Sequence, residues 1–184
     1  MRRGDLPAGW KSDAYQPDAG DKADQAALVR CVGARDTDSD KTGEAHSPNF
    51  YDRNASVSSE AERYRSDRDL AIDEAVLRSP RTIPCYRKLS TPARLGLPNG
   101  SKITSISFHF SGHLRGQPTN VIGGLQAVIS AVVSGQKAVL YEDAAFVIGR
   151  RIEAEVDFSN VGTRVPTAFR AALTATVAAR AARA

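Results

Sequence analysis

Between Lys102 and Phe158 the chain reads as four strand segments in succession, and this run limits the fold more than any other feature. Ile152, Ala154, Val156 and Phe158 alternate with Glu153, Glu155 and Asp157, so one strand carries an apolar face and an acidic one. Upstream, Lys102 to Ser111 also alternates. Ile103, Ser105, Ser107, His109 and Ser111 share one face, with Thr104, Ile106, Phe108 and Phe110 largely on the other. Val121 to Val133 and Ala138 to Ile148 are longer β-rich runs, and Ser134-Gly135 between them suits a hairpin turn. Gly123-Gly124 reads as a bulge or a close-packing point within a strand. The second half of the chain therefore predicts an antiparallel meander of four strands.

Helices flank this meander. Asp21 to Val32 has Asp21 as a cap and Gly33 as a stop, with Leu28 and Val32, and Ala27 and Cys31, sharing faces four residues apart. Ser66 caps a second helix to Arg78, with Asp67 and Asp69 in its first turn. A third begins near Pro84 and carries Cys85, Tyr86 and Leu89. A last one runs from Pro166 to about Arg180, with Phe169, Leu173 and Val177 spaced four apart. Val57 to Arg65 alternates weakly as a strand, and His46 to Tyr51 reads as a short strand or an anchored loop. Residues 1–20 form an extended arm held by Trp10 and Tyr15, and residues 21–180 a single domain. The class is α+β: an antiparallel sheet of about four to six strands with helices packed on one face.

Composition narrows the function classes. The net charge of +4 is spread along the chain, whereas a polyanion-binding protein shows a clustered basic stripe. Arg150-Arg151 with Arg180 and Arg183 are the nearest approach, so nucleic acid is not the expected partner; an anionic-lipid or nucleic-acid binder using these arginines, associated peripherally or by a lipid anchor with a membrane, is the third reading. No stretch approaches the roughly 18 apolar residues that span a bilayer. The first ten residues, MRRGDLPAGW, carry two arginines and no hydrophobic segment, so an exported protein would need a leader that this chain lacks.

Several residues invite a chemical reading. Asp36, Asp38 and Asp40 match the first positions of a calcium loop, but Lys41 stands where glycine is needed and Ser47 where a bidentate carboxylate is needed, so a solvated acidic turn is expected. His109 and His113 lie four apart on a segment that alternates like a strand, which does not bring them together as a metal pair. No nucleophile elbow, zinc-protease helix motif or phosphate loop is present. No metal and no cofactor is expected. Glu153, Glu155 and Asp157 could act as acid and base, but the solvent side of a sheet covered on one face is also where charges belong. Asn54-Ala-Ser56 and Asn99-Gly-Ser101 match the short glycosylation pattern.

Cys31 and Cys85 are the only cysteines. A reactive thiol would suit Cys85, which follows Pro84 at a helix start, whereas Cys31 sits on an apolar helix face. A disulfide accounts for both at once, since each lies on a helix that must pack on the same sheet. Closing a loop of that span stabilises by roughly 4 kcal/mol in the chain-entropy model. Such bonds persist outside the cytosol.

The runs LPAGW, DKADQAALVRCVGA, AHSPNF, DLAIDEAVLRSPRTIPCYRKL and IEAEVDFSNVGTRVP resemble a family of exported actinobacterial, especially mycobacterial, envelope proteins and lipoproteins. That family is similar in layout to PsbP-like α+β domains and to the extracellular sensor domains of receptor kinases. The resemblance covers Leu6 to about Ala179 and implies fold and location rather than activity. Cys31 and Cys85 would be the family's paired cysteines, and no catalytic residue is implied.

The expected function is a non-enzymatic, extracytoplasmic cell-envelope domain, secreted or lipid-anchored, that binds a small ligand or an envelope protein. The alternative is a small hydrolase or isomerase in which His109 meets Glu153 or Asp157 on a curved sheet.

Overall fold

A computed structural model describes residues 1–16, 19–112 and 116–184, with side chains 19–21 excepted. The first helix begins at Ala19, so Asp21 lies inside it rather than capping it, and the position of His113 lies outside the described residues. The chain is α+β, as its pattern predicts, but the sheet has eight strands rather than four to six. In chain order the elements are β1 (Lys11–Asp13), α1 (Ala19–Val32), β2 (Lys41–His46), β3 (Asn49–Asp52), β4 (Ala55–Tyr64), α2 (Asp67–Arg78) and α3 (Thr82–Leu89). There follow β5 (Lys102–Gly112), β6 (Val121–Val133), β7 (Gln136–Ile148), β8 (Ile152–Val161) and α4 (Thr167–Ala181). The surplus strands come from residues 11–52. β1 and β2 are almost wholly exposed and are held by backbone pairing at the sheet edge, while the short β3 also buries Phe50 in the core.

All pairings are antiparallel, in the order β1-β3-β4-β8-β7-β6-β5. One half of β4 pairs with β3 and the other half with β2, through Asp52↔Ala55 and His46↔Glu60. The β6–β7 hairpin turns at Ser134 (φ 50°) and Gly135 (φ 80°), the left-handed pair that a two-residue turn between right-twisted strands requires. A register shift next to Gly123 confirms the bulge, and a Cβ there would fall 2.7 Å from the Phe110 ring. A second bulge, between Ile103 and Ser105, turns Ile103 away from the serines. It then faces the same way as Ile106, Phe108 and Phe110, contrary to simple alternation.

Helices cover both faces of the sheet, not one. On the first face α4 packs Leu173, Val177, Ala178 and Ala181 against Phe50, Val57, Val147, Ala154, Val156 and Phe158. Gly149 lets α4 come close, since a Cβ there would meet the Ala181 carbonyl oxygen at 2.3 Å. The N-terminal arm joins this layer, with Trp10 stacked on Phe169 at 5.4 Å and Arg180 gripping Asp5 through two bonds of 2.6 and 2.7 Å. Tyr15, the arm's other anchor, stacks on His46 at 3.8 Å.

On the second face lie α1, α2 and α3. Ser66 caps α2 as expected, accepting from the Asp69 N–H at 3.2 Å. Leu28, Val32, Val76 and Cys85 form an apolar cluster with Cys31, Ala34, Tyr86 and Leu89, and every one of these residues belongs to the helices or their connections. The Cys31–Cys85 disulfide joins α1 to α3 across a Cα separation of 5.8 Å. Tyr86 reaches the sheet and stacks on Phe108 at 5.9 Å.

Candidate functional site

The second face of the sheet carries most of the unusual chemistry. Phe158, Val156 and Ala154 point into the α4 core, so Glu153, Glu155 and Asp157 point the other way, toward α2 and α3. Facing helices rather than open solvent corrects the expected solvated acidic strand. Glu153 is 9% exposed, and Glu155 and Asp157 are half-buried. On the neighbouring strand the register sets Glu62 opposite Glu153 and Glu60 opposite Glu155. Directly opposed like charges are unfavourable in a sheet. Glu142 on β7 adds another carboxyl, and Asp73 approaches from α2.

These carboxyls are held together by protons and by Lys41. The Lys41 Nζ lies 2.5 Å from Glu62 Oε1 and 3.1 Å from Asp38 Oδ1. Burial pulls Lys41 down, but the two carboxylates keep its ammonium well above the usual lysine range. Tyr64 donates its hydroxyl to Glu62 Oε2 at 3.0 Å. Burial, then the Asp73 and Glu62 charges, keep that phenol firmly protonated. Glu153 is held well above the usual carboxylate range, first by burial and then by the Asp73 charge and hydrogen bond. Glu155 is raised by burial and by Asp157, to which it is hydrogen-bonded. Asp157 is pushed up to about 6 by burial, against the pull of that bond. Burial and the Asp157 charge push Glu60 up to about 7, although its side chain keeps 42% exposure and water screens part of the effect. Near neutral pH this face is therefore partly protonated, and a cation entering it would displace protons. No described group donates a hydrogen bond to Glu153 Oε2.

Other predicted site residues fall elsewhere. His109 pairs with Gln126, Gln126 with Asp143, and Asp143 with Phe158. Directly paired residues share a face, so His109 lies on the α4 side, exposed on the edge strand, opposite to Glu153 and Asp157. The structure does not bring these three together. Asp36, Asp38 and Asp40 go to separate partners: the Asp38 N–H, Lys41 and Arg35. Asn54 and Asn99 are exposed. Of the arginines weighed as a basic patch, Arg150, Arg151 and Arg183 are exposed, while Arg180 is taken by Asp5.

Sequence reasoning did not single out Asp143, which is 4% exposed on the α4 face. Arg164 and Arg170 both approach its Oδ1, at 2.8 and 3.3 Å, while Oδ2 has no partner. Arg164 also lies 5.5 Å over the Tyr141 ring. The only signal for this site was an acidic residue inside a β-rich run.

No protein-family model matches the chain, and no curated protein matches it either. No described helix is long and apolar enough to cross a membrane.

Proposed function

We propose that the chain is a non-enzymatic, extracytoplasmic domain of the cell envelope that binds a ligand bearing amine or guanidinium groups. The ligand occupies the carboxyl-lined sheet face beneath α2 and α3. The observation that carries this reading is the convergence of β4 and β8 carboxyls around Glu153, which is nine-tenths buried with an Oε2 that receives no hydrogen bond. The compartment is supported by the disulfide between the only two cysteines and by the resemblance to exported actinobacterial envelope proteins. A small hydrolase or isomerase would need His109 to meet Glu153 or Asp157, and these project from opposite faces.

Calorimetric titration with spermidine and with arginine amide, at about pH 8 where the carboxyls favour ionisation, tests the ligand class. Saturable binding with proton release, weakened in a Glu60→Gln, Glu155→Gln double variant, supports the reading. Unchanged binding in that variant, or turnover of an ester, peptide or glycan that His109→Ala abolishes, overturns it. The compartment is tested on protein from its native source, whose intact mass without reductant should lie about 2 Da below the reduced form. Two free thiols there would place the chain in a reducing compartment.

A further inference from the structure

The two edges of the sheet are built differently. One is divided among β1, β2 and β3, of three, six and four residues, and carries Lys11, Asp13, Lys41 and Glu44. Short, charged strands keep an edge from pairing with another chain. The other edge is β5, eleven residues long, which pairs with β6 and with no other described strand. After Lys102 it holds no lysine, arginine, carboxylate or proline, and His109 is its only other titratable residue. Its bulge lies at the start, and Ser105 to Gly112 runs on in unbroken register with β6. Along its outer side the backbone N–H and C=O groups have no backbone partner among the described residues.

The side chains of β5 are also incompletely covered. Ile106, Phe108 and Phe110 share the face beneath α3, where Tyr86 stacks on Phe108 at 5.9 Å and Phe110 meets Phe146 at 6.4 Å. All three nevertheless remain only half-buried. Ser105, Ser107 and His109, on the opposite face, are exposed. The stretch Ser105-Ile-Ser-Phe-His-Phe-Ser111 has the same order of polar and apolar residues in either direction. Laid antiparallel on a second copy about a two-fold axis at Phe108, it sets Phe108 opposite Phe108, Ile106 opposite Phe110, Ser107 opposite His109 and Ser105 opposite Ser111. Directly opposed residues share a face, so apolar side chains meet apolar ones and no like charges meet. Lys102 falls outside the paired stretch.

We propose that β5 is a homodimerisation edge, through which two copies of this chain pair antiparallel along Ser105–Ser111 into one continuous sheet. The occupant is a second copy rather than a foreign peptide, because the strand complements its own pattern and offers no charge by which to select another sequence. A two-fold contact of this kind is closed after two copies. The axis runs normal to the sheet, so the two α4 layers lie on one face and the two α1–α3 layers on the other. The carboxyls of β4 and β8 are separated from this edge by β7 and β6, so dimerisation and the ligand reading stand or fall separately.

Sedimentation equilibrium of the full chain across about 1–100 µM, where an interface of modest size associates, should show a reversible monomer–dimer equilibrium. Ser107→Lys with His109→Lys puts like charges opposite each other twice across the axis and should weaken dimerisation about tenfold or more. Ser107→Glu with His109→Lys puts opposite charges at the same two places and should hold the dimer within about threefold of the parent. Both positions are exposed, so neither double variant disturbs the core. Amide exchange of the unmodified chain, compared at the two ends of the concentration range, should slow in β5 and not in β4. A chain that stays monomeric throughout, as it would if the edge took an extended peptide instead, overturns the proposal. So does a dimer that the like-charge variant leaves unchanged, one that both variants weaken alike, or one whose β5 exchange ignores concentration.

Discussion

Asp143 and Glu153 sit on opposite faces of one sheet and are nearly equally buried, at 4% and 9% exposure, yet their charges are handled differently. Asp143 has two arginines, Arg164 and Arg170, one before α4 and one in its first turn. Glu153 has another carboxyl, Asp73. Each choice follows from the layer above. α4 is bound by a continuous apolar core running from Phe50 to Ala181, so its charged contact is an accessory at the margin. The apolar cluster of α1–α3 reaches the sheet through Tyr86 on Phe108, beside a row of carboxyls, so that layer meets the sheet through apolar and polar contacts together. One layer is fixed by hydrophobic burial, which is indifferent to pH. The other meets the sheet across a face that mixes buried apolar side chains, Ile129 and Phe146, with carboxyls held above their usual range.

The largest effect should come from attacking the first layer at its centre. Phe158 is 2% exposed between α4 and the sheet, and Phe158→Ala should cost about 3–5 kcal/mol in urea unfolding. The loss should be global and nearly the same at about pH 5 and about pH 8, on either side of the raised carboxyls Asp157 (about 6) and Glu60 (about 7). A loss confined to acid or to alkali would break the comparison, because it would mean that the α4 layer also hangs on titration.

Removing the staple of the second layer comes next. A Cys31→Ser, Cys85→Ser double variant should lose about 2–4 kcal/mol, the usual worth of a disulfide closing a long loop. Its hydrogen exchange should rise most in α1 and α3, whose shared cluster the bond spans. Exchange rising equally in α4 would show that the two layers are not separable.

The two faces were not equally legible in the sequence. Alternation in β8 announced which side chains share a face, and the Ser134-Gly135 turn fixed the β6–β7 hairpin. Ser66 capped α2 where expected, and Cys31 met Cys85. What alternation does not carry is what covers each face. Glu153, Glu155 and Asp157 spell an outward-facing strand, and nothing in the α2 pattern marks Asp73 as their neighbour. The register that opposes Glu60 to Glu155 joins segments 95 positions apart, and no local signal specifies it. While β3 falls in the stretch read as a short strand or an anchored loop, β1 and β2 were missed for a related reason. Their stability is in the backbone ladder, which leaves little trace in side-chain type. Ile103 was misplaced by one extra residue, since a single bulge inverts every face assignment beyond it.

The smallest expected effect tests the arginine-paired carboxylate. Burial raises Asp143 above its usual range even though Arg170 and Arg164 pull it down. For an acid whose folded value is raised, the neutral form is the better tenant of the fold, and its contribution fades as pH climbs from the unfolded to the folded value. The ion pairs therefore return less than burial costs, as is common for buried pairs. Asp143→Asn keeps the shape and removes the charge. Arg170 retains bonds to the Val165 carbonyl at 3.1 Å and to Thr167 at 3.3 Å, and Arg164 retains Tyr141, so neither cation is stranded. The variant should fall within about 1 kcal/mol of the parent in urea unfolding near neutral pH, well short of the 3–5 kcal/mol that breaking a tightly buried pair costs. A loss of that larger size would show that the arginine pairs, rather than the apolar core, hold the α4 layer, and the contrast between the faces would collapse.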